Sequence, residues 1–374
     1  MKTSSNFFLS RFAVLLALLF AGSSAQAQSA AEFRGWGIET LTQIETEFAL
    51  PQRHLYADKI APGQPAKHPA FMWGCGVELS ALVAASKVDG KMWKPRLKNY
   101  FNGLNVYWQD AKGTIGYNVL PMPSPPDRYY DDNEWIAIAL CDAYDLTKEK
   151  AYLTRAEETM AFILSAEDDQ FGGGVYWKEE KKSKNTCSNG PAIVGALRLY
   201  QVTGKRAYFD AALRIYRWTN LHLQDTDGLY FDNVNASGKV EKMKWTYNTA
   251  LMLRANCLLY TETRNKIYLA EAQRIAKASE AHWFRADTGA INDPGIFAHL
   301  LCEAFLALYQ TDHNPHWRTI TQKALQYVHS QVRSTSGYYS DRWEKPNDQP
   351  ITEAKLIQQA SAARAFLVFA NGGP

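Results

Sequence analysis

Two adjacent aspartates, Asp131 and Asp132, stand in the segment with the clearest potential for chemistry, residues 129–135 with the sequence YYDDNEW. Two carboxyl groups about 5–5.5 Å apart can cleave a glycosidic bond with retention, one as nucleophile and the other as acid/base. Like charges this close raise one pKa, which keeps one carboxyl protonated as an acid. The flanking Tyr and Trp favour this interpretation over a second one, in which Asp131 and Glu134 form a capping box.

Aromatic side chains are abundant, at 13% of the sequence with 11 Trp and 20 Tyr. They combine flat apolar faces with hydrogen-bonding edges, which suits stacking on sugar rings. Trp73, Tyr130 and Tyr247 are therefore candidate sugar contacts, with packing in a helical core as the alternative. Asn189 and Asn248 are candidates for hydrogen bonds to sugar hydroxyls, with helix capping as the alternative.

Three further residues have weaker claims to a functional role. Asp227 lies in an Asp-Gly-Leu-Tyr loop, where it could touch a substrate or simply form the turn. His222 and His282 lie 60 residues apart in equivalent places. A sugar epimerase would need such a pair for proton transfer. We favour the simpler interpretation that both are cations near helix C-termini.

An internal repeat predicts the elements that position these residues. An aromatic residue follows a short polar linker and opens a helical run at five places, spaced by 59, 56, 60 and 49 residues: Trp93, Tyr152, Tyr208, Tyr268 and Trp317. The helix after Tyr208 has apolar residues at the spacing of one helical face and charged residues opposite, which is typical of an outer, half-exposed helix.

A second helix follows the turn-rich loop after each of these runs, and its body is apolar on nearly all sides, as buried helices are. We expect the buried helices to begin near Trp73, Asp131, Asn189, Tyr247, Gly295 and Thr352. A helix over Trp36 to Leu50 precedes the first. Twelve helices predict an all-α fold, an (α/α)6 toroid of six helical hairpins. An open solenoid would need polar capping repeats.

The long loops all join an outer helix to the start of an inner one, so they lie at one end of the toroid. Inner-helix N-termini meet there, with unpaired N–H groups and positive dipole ends. We therefore expect Asp131, Asp132, Asn189 and Tyr247 to line one cleft, although they are far apart in the sequence.

The first 27 residues have the features of a signal peptide: Lys2 and Arg11, then ten apolar residues at 12–21, then Ala-Gln-Ala at 25–27. We expect cleavage after residue 27 and one catalytic domain over 28–374. The apolar run is too short to span a bilayer, and no later segment predicts a membrane span. With Cys75 as the first cysteine, a lipoprotein is excluded. The expected destination is periplasmic or secreted.

The formal charge of +3, from 41 basic and 38 acidic side chains, indicates no nucleic-acid surface. The five cysteines include no CxxC pair, so no zinc site is predicted. We expect no metal, no organic cofactor and a monomeric protein.

Three segments carry a family resemblance: YYDDNEWI at 129–136, NTCSNGPA at 185–192 and WTYN at 245–248. In order and spacing they resemble glycoside hydrolase family 76, the α-1,6-mannanases, across essentially the whole mature chain. The resemblance implies an (α/α)6 barrel and a retaining mechanism, with Asp131 as nucleophile and Asp132 as acid/base. Family members commonly continue after the tyrosine with Asn-Gln-Gly, whereas this chain has Asn248-Thr249-Ala250.

The resulting hypothesis is an exported retaining endo-glycosidase that cleaves α-1,6-linked mannan backbones. Another glycan-active (α/α)6 enzyme, either an unsaturated glucuronyl hydrolase or an epimerase, is the first alternative. A non-catalytic glycan-binding protein is the second, and it would be expected to have lost one of the two aspartates.

Overall fold

The computed structural model describes residues 30–111 and 113–374. The predicted signal peptide and its cleavage point lie outside these residues. Helices account for 62% of the described residues. The twelve long ones are α1 (30–47), α2 (Met72–Val88), α3 (Gly90–Gly103), α4 (Tyr130–Thr147), α5 (Lys150–Leu164), α6 (Thr186–Thr203), α7 (Arg206–Leu223), α8 (Thr246–Thr263), α9 (Lys266–Trp283), α10 (Gly295–Asp312), α11 (Pro315–Tyr327) and α12 (Leu356–Ala370).

The even-numbered helices form the inner wall, because their residues are apolar on nearly every side and must be buried from water. Each packs against the next inner helix, and α12 packs against α2, so the ring is closed. Small residues allow the close approach: a Cβ on Gly76 of α2 would lie 2.6 Å from the Cβ of Trp135 on α4. The prediction of an all-α (α/α)6 toroid is confirmed.

The odd-numbered helices surround this wall and bury one face each. In α7, Phe209 and Ile215 are buried, whereas Arg206 and Asp210 form an exposed ion pair. The first helix closes the outer ring, since Phe33 of α1 packs on Phe369 of α12 with ring centroids 4.3 Å apart.

In the described part of the chain, nine short strands lie in the loops: β1 (Ala49–Leu50), β2 (Leu55–Tyr56), β3 (Lys59–Ile60), β4 (Trp108–Ala111), β5 (Thr114–Tyr117), β6 (Ser183–Asn185), β7 (Asn233–Asn235), β8 (Val240–Glu241) and β9 (Ala354–Lys355). All pairs are antiparallel: β1 with β2, β3 with β9, β4 with β5, and β6 with β7 with β8. Two helix boundaries differ from the prediction, because strands occupy the residues next to the helix. The last helix begins at Leu356 rather than near Thr352, and the first ends before β1.

Buried amide side chains hold three of the long loops against the inner helices. The Oδ1 atom of Asn189 accepts the N–H of Val175 at 2.7 Å, and its Nδ2 donates to the carbonyls of Val175 and Asn185 at 2.9 and 2.7 Å. Asn133 makes the same three contacts with Tyr117 and Tyr129, and Gln359 makes them with Tyr339 and Lys355. The prediction that Asn189 contacts a sugar is therefore wrong, because its amide is fully used by loop backbone.

In α8 the corresponding place is taken by Thr249, whose Oγ1 accepts the N–H of Tyr230 at 3.3 Å. Thr249 is fully buried. The departure from Asn-Gln-Gly therefore falls at a loop-holding position rather than in the cleft.

Replacing Asn189 with Ala is expected to cost about 3 kcal/mol of unfolding free energy, because the N–H and C=O of buried Val175 lose their partners. Urea unfolding followed by circular dichroism measures the loss. Asn248→Ala is the matched control, since that amide makes a single contact of 3.4 Å. Equal losses in both variants would contradict the loop-holding role.

Candidate active site

The N-terminal ends of the inner helices surround a cavity of about 710 Å³. Its walls combine carboxylic acids, amides and aromatic rings, as a sugar-binding cleft requires. The residues that matter for the chemistry are Trp73, Tyr129, Asp131, Asp132, Trp177, Cys187, Asp232, Tyr247, Asn248 and Phe297. The structure therefore brings together five of the eight predicted site residues: Trp73, Asp131, Asp132, Tyr247 and Asn248.

Asp131 lies in the first turn of α4 and is held by donors on two sides. Its Oδ2 atom accepts the indole N–H of Trp177 at 2.8 Å, and the thiol of Cys187 lies 3.6 Å away. Its Oδ1 accepts the backbone N–H of Asp132 at 2.9 Å. The cap of α4 is Tyr129, which makes no side-chain capping bond, so the capping-box alternative is not observed.

Asp132 has different surroundings, since its carboxyl group accepts no hydrogen bond from any residue in the described ranges. It borders the same cavity and is half-buried. A carboxyl group without protein partners is available to a substrate.

Burial raises the pKa of both carboxyl groups, because the charged form loses solvation. For Asp131, the hydrogen bonds from Trp177, from the Asp132 backbone and from Cys187 oppose the rise. For Asp132, the negative charges of Asp131 and Asp127 raise the pKa further. The hydrogen bonds favour the ionised form of Asp131, and the neighbouring negative charges favour the protonated form of Asp132.

Three aromatic rings that border the cavity, Trp73, Tyr247 and Phe297, contact one another. Trp73 stacks on Phe297, with ring centroids 5.6 Å apart and an interplanar angle of 20°. Tyr247 meets Trp73 edge-on at 6.0 Å. The hydroxyl of Tyr247 accepts the indole N–H of Trp135 at 2.8 Å and donates to the carbonyl of Cys187 at 3.1 Å, which fixes the ring beside the aspartates.

A third carboxylic acid, Asp232, borders the cavity and was not predicted. Its Oδ2 accepts the side-chain N–H of Asn233 at 2.8 Å, and its Oδ1 lies 3.4 Å from Nδ2 of Asn248. The backbone carbonyl of Asp232 accepts a hydrogen bond from the N–H of Thr186 at 2.8 Å. An acid and an amide side by side can accept from and donate to neighbouring sugar hydroxyls.

Besides Asn189, two further predicted sugar contacts lie outside the cavity. Tyr130 is buried and stacks on Phe162 at 4.8 Å, so its neighbour Tyr129 faces the cavity in its place. Asp227 accepts the N–H of Leu229 at 2.9 Å and pairs with Lys244 at 2.6 Å, so it forms the turn. Both predictions are corrected, because these side chains are used by the fold.

Two of the residues missed by sequence reasoning come from separate loops. Trp177 follows a Gly-rich stretch, and Asp232 follows the turn formed by Asp227. The third, Phe297, lies in the first turn of α10. Their position in the sequence could have indicated them, because Trp177 and Asp232 precede an inner helix and Phe297 lies at the start of one.

The histidine pair of the epimerase alternative does not border the cavity. His222 stacks on Trp218 at 4.9 Å and His282 meets Trp283 edge-on at 4.8 Å, both near the ends of outer helices. Residues 30–111 and 113–374 contain no His, Cys, Asp and Glu cluster suited to a metal ion. In the same ranges, none of the helices has the length and apolarity that crossing a membrane demands.

Known proteins resemble this chain in sequence and in fold. A mannan endo-1,6-α-mannosidase of Candida glabrata is 32% identical over 171 residues, which are 42% of this chain and 34% of that protein. The chain spans about a third to a half of the length of its curated relatives from Candida glabrata, Schizosaccharomyces pombe and Saccharomyces cerevisiae.

Solved structures match this chain over a larger share of both chains than the curated relatives do. A GH76 α-mannanase of Bacteroides thetaiotaomicron is 33% identical, with a TM-score of 0.85 over 91% of this chain and 95% of that one. An inactive variant of an α-1,6-mannanase of Salegentibacter, in complex with α-1,6-mannotriose, has the same fold at 21% identity and a TM-score of 0.75, over 93% of this chain and 99% of that one.

The family model described as glycosyl hydrolase family 76 matches residues 46–370. This range runs from the end of α1 to the end of α12 and includes both aspartates and every inner helix. The chain belongs to glycosyl hydrolase family 76.

Proposed function

We propose that this protein is a retaining endo-α-1,6-mannanase that hydrolyses mannan backbones. Its family membership, the C. glabrata relative and the B. thetaiotaomicron structure support an α-mannan substrate. The Salegentibacter enzyme binds an α-1,6-mannooligosaccharide. The cavity offers the ring-stacking surface and the hydrogen-bonding groups that such a chain would use.

The observation that carries the mechanism is the unequal environment of the two adjacent aspartates. Asp131 is oriented by three donors that stabilise its carboxylate, the form in which it acts as a nucleophile. It also lies at the positive end of the α4 dipole, which stabilises its carboxylate. Asp132 has no protein hydrogen bond and a raised pKa, as a general acid requires.

In the first step, the Asp131 carboxylate attacks the anomeric carbon while the bond to the glycosidic oxygen breaks. Asp132 gives its proton to that oxygen, and a β-linked glycosyl ester forms on Asp131. In the second step, ionised Asp132 takes a proton from water. The resulting nucleophile displaces Asp131, and the second inversion restores the α configuration.

Hydrolysis of unbranched α-1,6-mannan by the purified protein tests the proposal. We expect oligosaccharides of several lengths early in the reaction, since an endo-acting enzyme cuts within the chain. Proton NMR should detect the α anomer of the new reducing end before mutarotation. Early β anomer would reject retention, mannose alone would reject endo action, and an inert substrate would reject the activity.

Export of the chain is also proposed here, with removal of residues 1–27 and action as a monomer. The basic start, the ten-residue apolar run and the Ala-Gln-Ala site support export. A polymeric substrate outside the cytoplasm is consistent with such a destination.

A further inference from the structure

A second cavity, of about 670 Å³, lies at the opposite end of the toroid. It is bordered by the C-terminal parts of the inner helices, including Lys87 at the end of α2 and Asp145 near the end of α4. It shares no lining residue with the active-site cavity. The mechanism above uses none of its groups.

The central feature of this rear cavity is a buried arginine whose acidic neighbours each pair more closely with another arginine. Arg254 follows Tyr247 by two turns on α8, and its side chain is only 7% exposed. Among the described residues, its ion-pair partner is Glu303, at 3.7 Å, and the carboxylate of Asp142 also stabilises its charge. Both Glu303 oxygens already accept from Arg364, at 2.8 Å each. Among the described residues, the Arg254 guanidinium makes no hydrogen bond.

An arginine in this position is costly unless an anion pairs with it, because its charge has left water. Burial lowers the pKa of Arg254, which reflects the same cost. None of its side-chain nitrogen atoms is fully enclosed by protein, although none has a hydrogen-bond partner among the described residues. These atoms therefore face the cavity rather than the packed core. The fork of N–H donors is thus accessible from the rear opening.

The two acidic side chains on the cavity wall, Asp142 and Asp145, already pair with other cations. Arg198 donates to Asp142 at 3.0 and 3.1 Å and also to Asp145. Asp145 lies 3.2 Å from Lys148 as well. With these acids paired, Arg254 and the exposed Lys87 leave an excess of positive charge in the cavity.

We infer that the rear cavity binds a small molecule that bears an oxyanion, either a phosphate or a carboxylate, with Arg254 as its main contact. Arginine suits both groups, because its planar donors bind two oxygens at once. The cavity volume exceeds what the oxyanion alone fills. Gln310 and Thr261 on its wall can face a polar remainder of the ligand.

The competing explanation is that these cations only offset the carbonyl-rich C-terminal ends of the inner helices. That explanation applies to Lys87 and Arg264, which lie at helix ends. It accounts poorly for Arg254, which is in the middle of α8, nine residues before the helix ends at Thr263. Anion titration separates the two explanations, since charge compensation predicts no saturable site.

Isothermal titration calorimetry of the full chain tests the inference, with inorganic phosphate in one arm and acetate in the other. Sodium chloride keeps the ionic strength constant. We expect saturable one-to-one binding in at least one arm, and the stronger arm identifies the preferred oxyanion. Asp131→Ala should bind equally well, so the result is independent of the proposed activity. Absence of saturation in both arms overturns the inference.

Arg254→Gln should weaken this binding by about tenfold or more, since charged hydrogen bonds are lost. Arg217→Gln removes the same charge from the exposed side of α7 and should leave binding unchanged. Lys87→Gln, at an exposed position, should weaken binding severalfold and keeps the test valid if Arg254→Gln does not fold. Unchanged binding in both cavity variants, or equal loss in the Arg217 control, overturns the inference.

Discussion

Replacing either Asp131 or Asp132 with Ala is expected to lower kcat on α-1,6-mannan by about 10³-fold or more, because nucleophile and acid/base are each needed for turnover. Both variants should remain folded. Each aspartate borders the open cavity, and neither forms a side-chain cap on α4. Initial rates of reducing-sugar release, with circular dichroism as the folding check, measure both expectations.

An activated α-mannoside with azide distinguishes the two roles. A good leaving group needs no protonation, so Asp132→Ala should form the glycosyl ester on Asp131 and then stall. Azide should release it as the α-mannosyl azide, after two inversions. Asp131→Ala cannot form the ester, so azide should attack the substrate directly and give the β-mannosyl azide by a single inversion.

Proton NMR of the azide products decides between the assignments. The α product from Asp131→Ala together with the β product from Asp132→Ala would show that the roles are exchanged, and the same configuration from both variants would contradict a division of roles. Asp210→Ala is the matched control, because Asp210 is exposed on α7, pairs with Arg206 at 2.9 Å and does not border the cavity. It should keep the unmutated product and a rate within a few-fold.

Replacing Glu303 with Leu is expected to lower the unfolding free energy by about 3–5 kcal/mol, the usual cost of removing one partner from a buried ion pair. Glu303 is the acid between Arg364, at 2.8 Å, and Arg254, at 3.7 Å. Its loss leaves two buried guanidinium groups facing each other. Urea unfolding at constant ionic strength measures the change.

Arg364→Met should cost less, because Arg254 remains close enough to pair with Glu303. Glu32→Leu on the exposed side of α1 is the control for the loss of an acid and should change stability by less than about 0.5 kcal/mol. An equal loss in Glu303→Leu and Arg364→Met would contradict the shared role of Glu303.

Much of the fold could be predicted from the sequence, because helices that are apolar on all sides must be buried in the interior. The inner helices were recognisable from such bodies, and six buried helices with amphipathic partners close most economically into a ring. Boundaries failed where a distant strand intervened. Residues 354–355 are extended because they pair with Lys59 and Ile60, a contact across almost the whole chain.

The pair of adjacent aspartates could also be predicted from the sequence, because helix geometry determines the relative positions of neighbouring residues in one turn. Trp73, Tyr247 and Asn248 followed from the same argument about inner-helix starts. Sequence reasoning could not choose between Tyr129 and Tyr130. Successive helical residues point about 100° apart, so the rotation of α4 against Phe162 determines which ring faces the cavity.

Composition, helical periodicity and the two neighbouring acids were enough to predict the toroid and to propose the end that holds the site and the reacting pair. The roles of single polar residues depended on contacts between distant segments. Asn189 is an anchor for Val175 rather than a sugar contact, and Asp131 is oriented by Trp177. Such partners are 14 to 46 residues apart. A hydrogen bond of this kind depends on where two loops meet in the packed ring, which no local pattern encodes.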